Sequence, residues 1–121
     1  MTTLADEARE ALRLAEADPG QSARLAADVA TRARAAQDIA AAAIAERARG
    51  LAALHLDNAA TAMRHLRAAV TLGRRAQSPR LAAEARMTLA YVLNGQGRSR
   101  QALREISAAV YHSLRLSPPE G

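Results

Sequence analysis

The sequence predicts an all-α fold, and three observations support that prediction. Alanine and leucine, which lead the helix propensity scale, contribute 33 and 15 of the 121 residues. Apolar residues recur at spacings of three and four, never in alternation, as in amphipathic helices. Glycine and proline are scarce, with 6 and 4 copies, and their clusters divide the chain into segments of similar length. No segment has the pattern of a strand.

Six helices are expected between these clusters, over about residues 3–17, 19–36, 38–56, 58–76, 79–94 and 99–115. The first opens on acidic residues, Asp6 and Glu7, which favour a helix N-terminus. The second begins at Asp18 and Pro19, since aspartate caps a helix and proline suits its first turn. The third covers an alanine-rich segment.

The last three helices have their own start and stop signals. Either Asp57 or Asn58 caps the fourth helix, and a serine–proline pair at 78–79 starts the fifth. The turn after the fifth contains two glycines and supplies Ser99 as the cap of the sixth helix. The double proline at 118–119 ends the sixth helix.

The helices carry an internal repeat. Even-numbered helices share a triad of apolar or small residues at i, i+4 and i+7, namely Ala23, Ala27, Ala30; Ala62, Leu66, Ala69; and Ala102, Ile106, Ala109. Odd-numbered helices keep the same offsets of 39 and 40 residues through Ala11, Gly50 and Ala90. The repeat predicts three stacked antiparallel helical hairpins over about 3–36, 38–76 and 79–115, forming one domain at 1–116 with a short tail at 117–121.

These residues resemble a tetratricopeptide repeat. Ala90, the turn at Gly97 and the third triad follow the small–turn–small–bulky–small order of that motif, and Gly50 with the second triad matches it again. The period is longer than the usual one of about 34 residues, and the aromatic positions are mostly aliphatic here. Segments 47–70 and 84–109 are also similar to the repeat region beside caspase-like peptidase domains of actinobacterial regulatory proteins. The resemblance implies a right-handed α-solenoid that acts as a scaffold.

The resemblance also implies an inner groove lined by first-helix residues. Carried over position by position, the lining is Ala8, Leu12, Ala15, Arg47, Leu51, Leu54, Met87, Tyr91 and Asn94. Arg47 and Asn94 can hydrogen-bond a peptide, while Met87 and Tyr91 supply adaptable contact area. The residues predicted to bind a partner are Arg47, Leu51, Leu54, Met87, Tyr91 and Asn94. The same positions would also suit packing between neighbouring helices.

No pattern of catalytic or metal-binding residues is present. Cysteine is absent, which excludes disulfides, thiolate metal sites and cysteine nucleophiles. His55, His65 and His112 fall on three different helices, and none has a partner at helical spacing that makes a convincing ligand pair. We therefore expect solvated or packed histidines, surface acids, no cofactor, no metal and no enzymatic activity.

Charge is distributed unevenly around a net +5, and every one of the 17 basic residues is arginine. Residues 1–60 carry 7 arginines and 9 acids, a net −2, whereas residues 61–121 carry 10 arginines and 3 acids, a net +7. A basic half can indicate nucleic acid, yet Arg64, Arg67 and Arg74 lack interleaved aromatics for base stacking. The leading interpretation is a scaffold that binds a peptide or helix; a regulatory nucleic-acid-associated domain is the alternative.

The sixth helix carries a second apolar stripe of Leu103, Val110 and Leu114. An uncovered stripe of this kind usually marks an interface, so we expect either a homodimer through this helix or a continuation of the chain that covers it. The acidic start and the lack of an apolar run of about 20 residues predict a cytoplasmic protein without a membrane partner.

Overall fold

The computed structural model describes residues 1–116, with side chains described as far as residue 112. Six helices account for most of this part of the chain: α1 (Leu4–Leu14), α2 (Pro19–Ala35), α3 (Ile39–His55), α4 (Ala59–Arg75), α5 (Pro79–Gly95) and α6 (Ser99–Leu116). No strand occurs within residues 1–116. The predicted all-α class is therefore confirmed. The predicted tail at 117–121 lies outside the described residues.

The turns from α2 onward repeat every 20 residues. Gln37, Asp57, Gln77 and Gly97 each adopt a left-handed conformation, with φ between 54° and 75°. In each turn the next backbone N–H donates to a carbonyl five residues back, as in Asn58 to Ala53 at 2.9 Å. This bond is the signature of a Schellman motif, which ends a helix by satisfying its free carbonyls. The residue whose N–H closes one helix directly precedes the first residue of the next helix, and α2, α3, α4 and α5 are each 17 residues long.

Three side-chain caps agree with the sequence prediction, and one does not. Asp18, Asn58 and Ser78 each accept a hydrogen bond from the backbone N–H three residues ahead, at 3.1, 3.1 and 3.3 Å. Asn58, rather than Asp57, is thus the cap of α4. The prediction for Ser99 was wrong, because α6 already begins there and the Ser99 hydroxyl donates instead to Asn94 Oδ1 at 3.4 Å.

The first helix ends three residues before the predicted boundary. Residues 15–17 form a turn, and the Asp18 N–H donates to the Leu14 carbonyl at 2.8 Å. Asp18 precedes a proline, and the proline ring disfavours a helical conformation of the residue before it. Asp18 accordingly adopts φ −145° and ψ 76°. A salt bridge joins α1 to α2, since the Arg32 guanidinium lies 2.7 Å from Glu7 Oε1. The hydrogen bond from Arg32 holds the pKa of Glu7 below its ordinary value of 4.5.

The buried register agrees with the predicted triads in α4 but not in α2. Ala62, Leu66 and Ala69 of α4 are at most 1 % exposed. In α2 Ala30 of the predicted triad is buried, whereas Ala23 and Ala27 are only half-buried; the other buried residues are Ser22, Ala26, Val29 and Ala33. The first triad was therefore wrong at two of its three positions, Ala23 and Ala27, where the buried residues are the preceding Ser22 and Ala26. The physical reason is that Ser22 is polar, and its hydroxyl becomes compatible with burial by donating to the Ala11 carbonyl at 2.6 Å.

Each helix packs against the next one in the chain, and α1 with α3 and α3 with α5 are also in contact. The core is built mostly of alanine, whose small side chain lets neighbouring helices pack closely. The approach is closest where a glycine faces the neighbouring helix. A Cβ atom added at Gly50 of α3 would lie 2.6 Å from Leu66 Cγ of α4. This packing leaves two surfaces of interest: the one formed by the odd-numbered helices, and the outer face of the α5–α6 pair.

Candidate functional site

A cavity of about 360 Å³ lies on the surface formed by α1, α3 and α5, and we call it the odd-helix pocket. Its apolar lining includes Leu12, Ile44 and Leu81, each from a different helix. Its polar lining is Arg9, Arg47, Ser78, Arg80 and Glu84. Three arginines therefore share this pocket with a single carboxylate, which makes it a positively charged recess with an apolar floor.

Arg47 is fixed in position by α5. Its Nε donates to Thr88 Oγ1 at 3.1 Å, and its Nη1 donates to Glu84 Oε2 at 3.3 Å. The Thr88 hydroxyl in turn donates to the Glu84 carbonyl at 3.0 Å. The side chain of Arg47 is 25 % exposed, so it is held by two partners while part of it still faces solvent. An arginine ordered in this way loses little entropy when it binds a further acceptor.

The other two arginines of the odd-helix pocket are more exposed. Arg80 Nε lies 2.9 Å from Glu84 Oε1, although 88 % of the Arg80 side chain is accessible. Arg9 lies 3.8 Å from an Asp6 oxygen and is 62 % accessible. Glu84 alone thus faces Arg47 and Arg80, and the positive charge of the pocket exceeds the negative charge among its lining residues.

A second recess, the terminal groove, lies between α5 and α6. It has a volume of about 570 Å³ and is lined by Met87, Ala90, Tyr91, Asn94, Ser99, Ala102, Leu103 and Ile106. Tyr91 and Leu103 are 71 % and 62 % exposed on its rim. Of the large apolar side chains that are exposed in the described chain, Met87, Tyr91 and Leu103 lie together in the terminal groove, which makes it an accessible apolar surface.

The six residues predicted to form one binding groove do not lie together: they are divided between the terminal groove, the odd-helix pocket and half-buried positions of α3. Met87, Tyr91 and Asn94 meet in the terminal groove, while Arg47 lies in the odd-helix pocket. Leu51 and Leu54 are half-buried. Leu54 packs against the core cluster that contains Leu66. The wider lining implied by the resemblance also differs, since Ala8 and Ala15 are buried.

The residues predicted for self-association are placed only in part. Leu103 and Val110 are exposed on α6, with 62 % and 51 % of their surface accessible. The side chain of Leu114 lies outside the described residues. Tyr111, at 56 % exposed, stands edge-on to His112 with ring centroids 5.7 Å apart.

Sequence reasoning missed Arg9, Arg80 and Glu84 as members of one site. The sequence signal for them is the spacing of Arg47 and Glu84. These two residues have opposite charges and are 37 residues apart, which is close to one repeat period, and in the structure they form a hydrogen bond. It also missed the pairing of His65 with Glu46, which joins residues 19 apart on different helices.

Among the described residues, no three histidine, aspartate or glutamate side chains are grouped to hold a metal ion. Within the same residues, none of the helices combines the length and the apolar character needed to cross a membrane. No family model, curated protein or solved structure matches the chain.

Proposed function

We propose that this protein is a non-catalytic interaction scaffold, built as a tetratricopeptide-like stack of three helical hairpins, that holds an acidic peptide segment of a partner in the odd-helix pocket. One observation supports this most directly: α1, α3 and α5 each contribute an arginine to the pocket, against one carboxylate in its lining. Partner carboxylates would supply the missing negative charge. The apolar floor would receive small or aliphatic side chains between them.

The energetics favour recognition by the ordered arginine. Hydrogen bonds to charged groups contribute about 1.5–3 kcal/mol when they are sheltered, whereas exposed ion pairs contribute about 1 kcal/mol or less. Arg47 is the most sheltered of the three arginines, at 25 % exposed. We therefore assign Arg47 the largest share of binding, with Arg9 and Arg80 setting the direction of the peptide through longer-range attraction.

Fluorescence anisotropy with short labelled peptides tests the proposal. Peptides that combine glutamate with alanine and leucine should bind, and peptides of the same length with lysine in place of glutamate should not. Replacing Arg9 and Arg47 together with glutamine should weaken binding of the acidic peptides by roughly tenfold or more, since two charged donors are lost. The helical circular dichroism signal should be retained.

A charge-matched control variant separates this pocket from general attraction. Arg64 and Arg67 are exposed on α4 and line none of the odd-helix pocket. Replacing both with glutamine removes the same charge and should leave acidic-peptide binding within about twofold, since salt largely screens exposed charges that do not contact the peptide. Equal weakening by the two double variants would show that the pocket does not recognise the peptide.

The alternative function, association with nucleic acid, rests on α4. This helix contains no acidic residue, and Arg64, Arg67, Arg74 and Arg75 are all exposed on it. Binding of a DNA or RNA oligonucleotide through these side chains would fall steeply with salt, by roughly 10³-fold between 50 and 200 mM if several phosphates are contacted. The Arg64/Arg67 variant would then lose affinity, while the Arg9/Arg47 variant would not.

The exposed face of α6 supports self-association as a further property of the scaffold. Met63 of α4, which is equivalent to Leu103 one repeat earlier, packs against a core cluster that includes residues of α5, whereas no further helix of the described chain follows α6 to cover Leu103 and Val110. The occupant we propose is a second copy presenting the same face, because an apolar face that meets itself forms a closed, two-fold contact.

Analytical ultracentrifugation at micromolar concentration should show a dimer. Introducing charge with Leu103→Glu and Val110→Glu should give a folded monomer, since two carboxylates would be buried without partners in the interface. The matched control is Thr31→Glu with Ala35→Glu, two exposed positions of α2, which should leave the dimer intact. A wild-type protein that sediments as a monomer throughout would rule out this interface.

A further inference from the structure

The least expected polar feature of the molecule is a buried carboxylate on α3. The Glu46 side chain is 3 % exposed. Its Oε2 lies 2.8 Å from His65 Nδ1 of α4, and its Oε1 lies 3.2 Å from Arg49 Nη1 and 3.6 Å from Arg34 Nη2 of α2. A buried carboxylate is strongly unfavourable unless partners compensate it, and here three partners from three helices do so.

Two of these partners, Arg49 and His65, border a cavity of about 240 Å³ between α2, α3 and α4, which we call the Arg49 pocket. Its lining consists of Ala23, Arg49, Ala53, Leu56, Asn58, Thr61 and His65. It shares no lining residue with the odd-helix pocket or the terminal groove. It is therefore a separate site, on a different surface of the helices from the proposed peptide site.

The Arg49 pocket is rich in hydrogen-bond donors. Arg49 uses one guanidinium nitrogen on Glu46, which leaves its other N–H groups for a ligand. The Thr61 hydroxyl has no hydrogen-bond partner among the described residues, whereas Thr31 and Thr71 each donate to the carbonyl four residues back. None of the lining residues carries a carboxylate. A pocket with donors and no acidic lining is suited to an anion.

The charge balance leads to the same conclusion. Arg34 and Arg49 bring two positive charges to the single negative charge of Glu46, so the cluster has a net charge of +1 when His65 is neutral. Because His65 Nδ1 faces Glu46, its Nε2 is the ring nitrogen left for a ligand in the pocket. Protonation of that nitrogen would add a second donor and a second positive charge.

Part of the wall of the Arg49 pocket is apolar. It is formed by Ala23 of α2, Ala53 of α3 and Leu56, the residue that follows α3. A bare inorganic ion would leave this wall without contact, while a short aliphatic chain attached to the anionic group would cover it. The volume of the pocket is below the range of about 300–1,000 Å³ that is common for drug-sized ligands, so the pocket suits only a smaller molecule.

From this geometry we propose that the Arg49 pocket binds a small organic anion, whose carboxylate or phosphate accepts hydrogen bonds from Arg49 and Thr61 beside the His65 ring and whose short aliphatic part contacts Ala53 and Leu56. Glu46 is a positioning residue in this site. It orients the His65 ring and the Arg49 guanidinium without touching the ligand.

Nuclear magnetic resonance of the three histidine rings tests the proposal on the intact protein, with inorganic phosphate, acetate and butyrate as separate probes. The His65 signals, identified by their loss in His65→Gln, should shift and saturate with at least one probe. Those of His55, which is exposed and outside the pocket, should follow only the small non-saturating effect of ionic strength. Butyrate should bind more tightly than acetate because of its longer chain, and comparison with phosphate identifies the preferred headgroup.

Two variants and a matched control decide the outcome. Arg49→Gln should weaken the saturating probe at least tenfold, and Thr61→Val, which removes only a hydroxyl and does not touch Glu46, should weaken it severalfold. Arg67→Gln loses the same charge from an exposed position on α4 and should change the affinity less than twofold. The proposal is wrong if no probe saturates the His65 shift, or if Thr61→Val and Arg67→Gln weaken binding equally. Thr61→Val keeps the test valid should Arg49→Gln fail to fold.

Discussion

Replacing Leu66 with alanine is expected to lower the free energy of unfolding by about 2–5 kcal/mol, which is the range for cavities left by large buried aliphatic side chains. Leu66 is fully buried, and it belongs to the core cluster that joins α3, α4, α5 and α6 through Ala53, Ala62, Leu89 and Ala102. Five of the eleven other residues in and around this cluster are alanine, which has no side-chain freedom with which to fill the space. Urea unfolding followed by circular dichroism measures the loss.

Leu66 also allows a prediction about a double variant, in which the effects of two substitutions should not add. A Cβ atom at Gly50 would lie 2.6 Å from Leu66 Cγ and 2.9 Å from Leu66 Cδ2, so Gly50→Ala should destabilise the wild-type protein by overpacking. In the Leu66→Ala background those two atoms are gone, and the added methyl group occupies part of the cavity. The double variant should therefore be more stable than the sum of the two single losses predicts. Simple additivity would mean that Gly50 and Leu66 do not meet as described.

Most of the secondary structure could be predicted because its signals are local. The caps at Asp18, Asn58 and Ser78 act within three residues of themselves. The equal spacing of the turns was visible only in part, since Gln37 and Gln77 adopt the left-handed conformation that glycine has at Gly97. Glutamine carries no sequence signal for that conformation. It is held there by the bonds that close each helix.

The register of α2 could not be predicted from apolar spacing, because the buried face includes Ser22. A serine counts as polar until its hydroxyl finds an acceptor, and that acceptor is a carbonyl of α1. A search for apolar spacing selects the neighbouring alanines instead of Ser22. In an alanine-rich helix, a pattern moved along by one residue still falls on alanines. The alanine content that predicts a helix so clearly therefore carries little information about which side is buried.

The candidate sites depend on contacts between helices, which helical spacing does not encode. Arg47 meets Glu84 and Thr88 across two repeats, and Glu46 meets His65 and Arg34 on the helices that flank it. Each of these residues taken alone is typical of a solvated helix surface. Only packing shows that Glu46 is buried and that the arginines of α1, α3 and α5 share one pocket. The residues that sequence reasoning did favour, Met87 and Tyr91, were recognisable because they are large in an alanine-rich chain.

Replacing Gly73 with alanine should destabilise the protein, although alanine has the higher helix propensity. In an open helix, glycine to alanine stabilises by up to about 1 kcal/mol, because alanine loses less backbone entropy on folding. At Gly73 the added Cβ would lie 2.7 Å from the Ala82 backbone nitrogen, 3.0 Å from Ala82 Cα and 3.1 Å from the Leu81 carbonyl carbon. These are backbone atoms of α5, so no side-chain rotation relieves the contact.

Gly73→Ala should therefore force α4 and α5 apart and lower the free energy of unfolding by about 1–3 kcal/mol, the usual cost of overpacking, or more because the contact is with backbone. Gly95→Ala is the matched control, since Gly95 also lies in the last turn of a 17-residue helix but has no atom within 4 Å of the added Cβ. That variant should be as stable as wild type or more stable. Urea unfolding of the two variants side by side measures the difference in sign. If Gly73→Ala were as stable as Gly95→Ala, α4 and α5 would not approach each other through this glycine, and the stacking of the second and third helix pairs would need a different geometry.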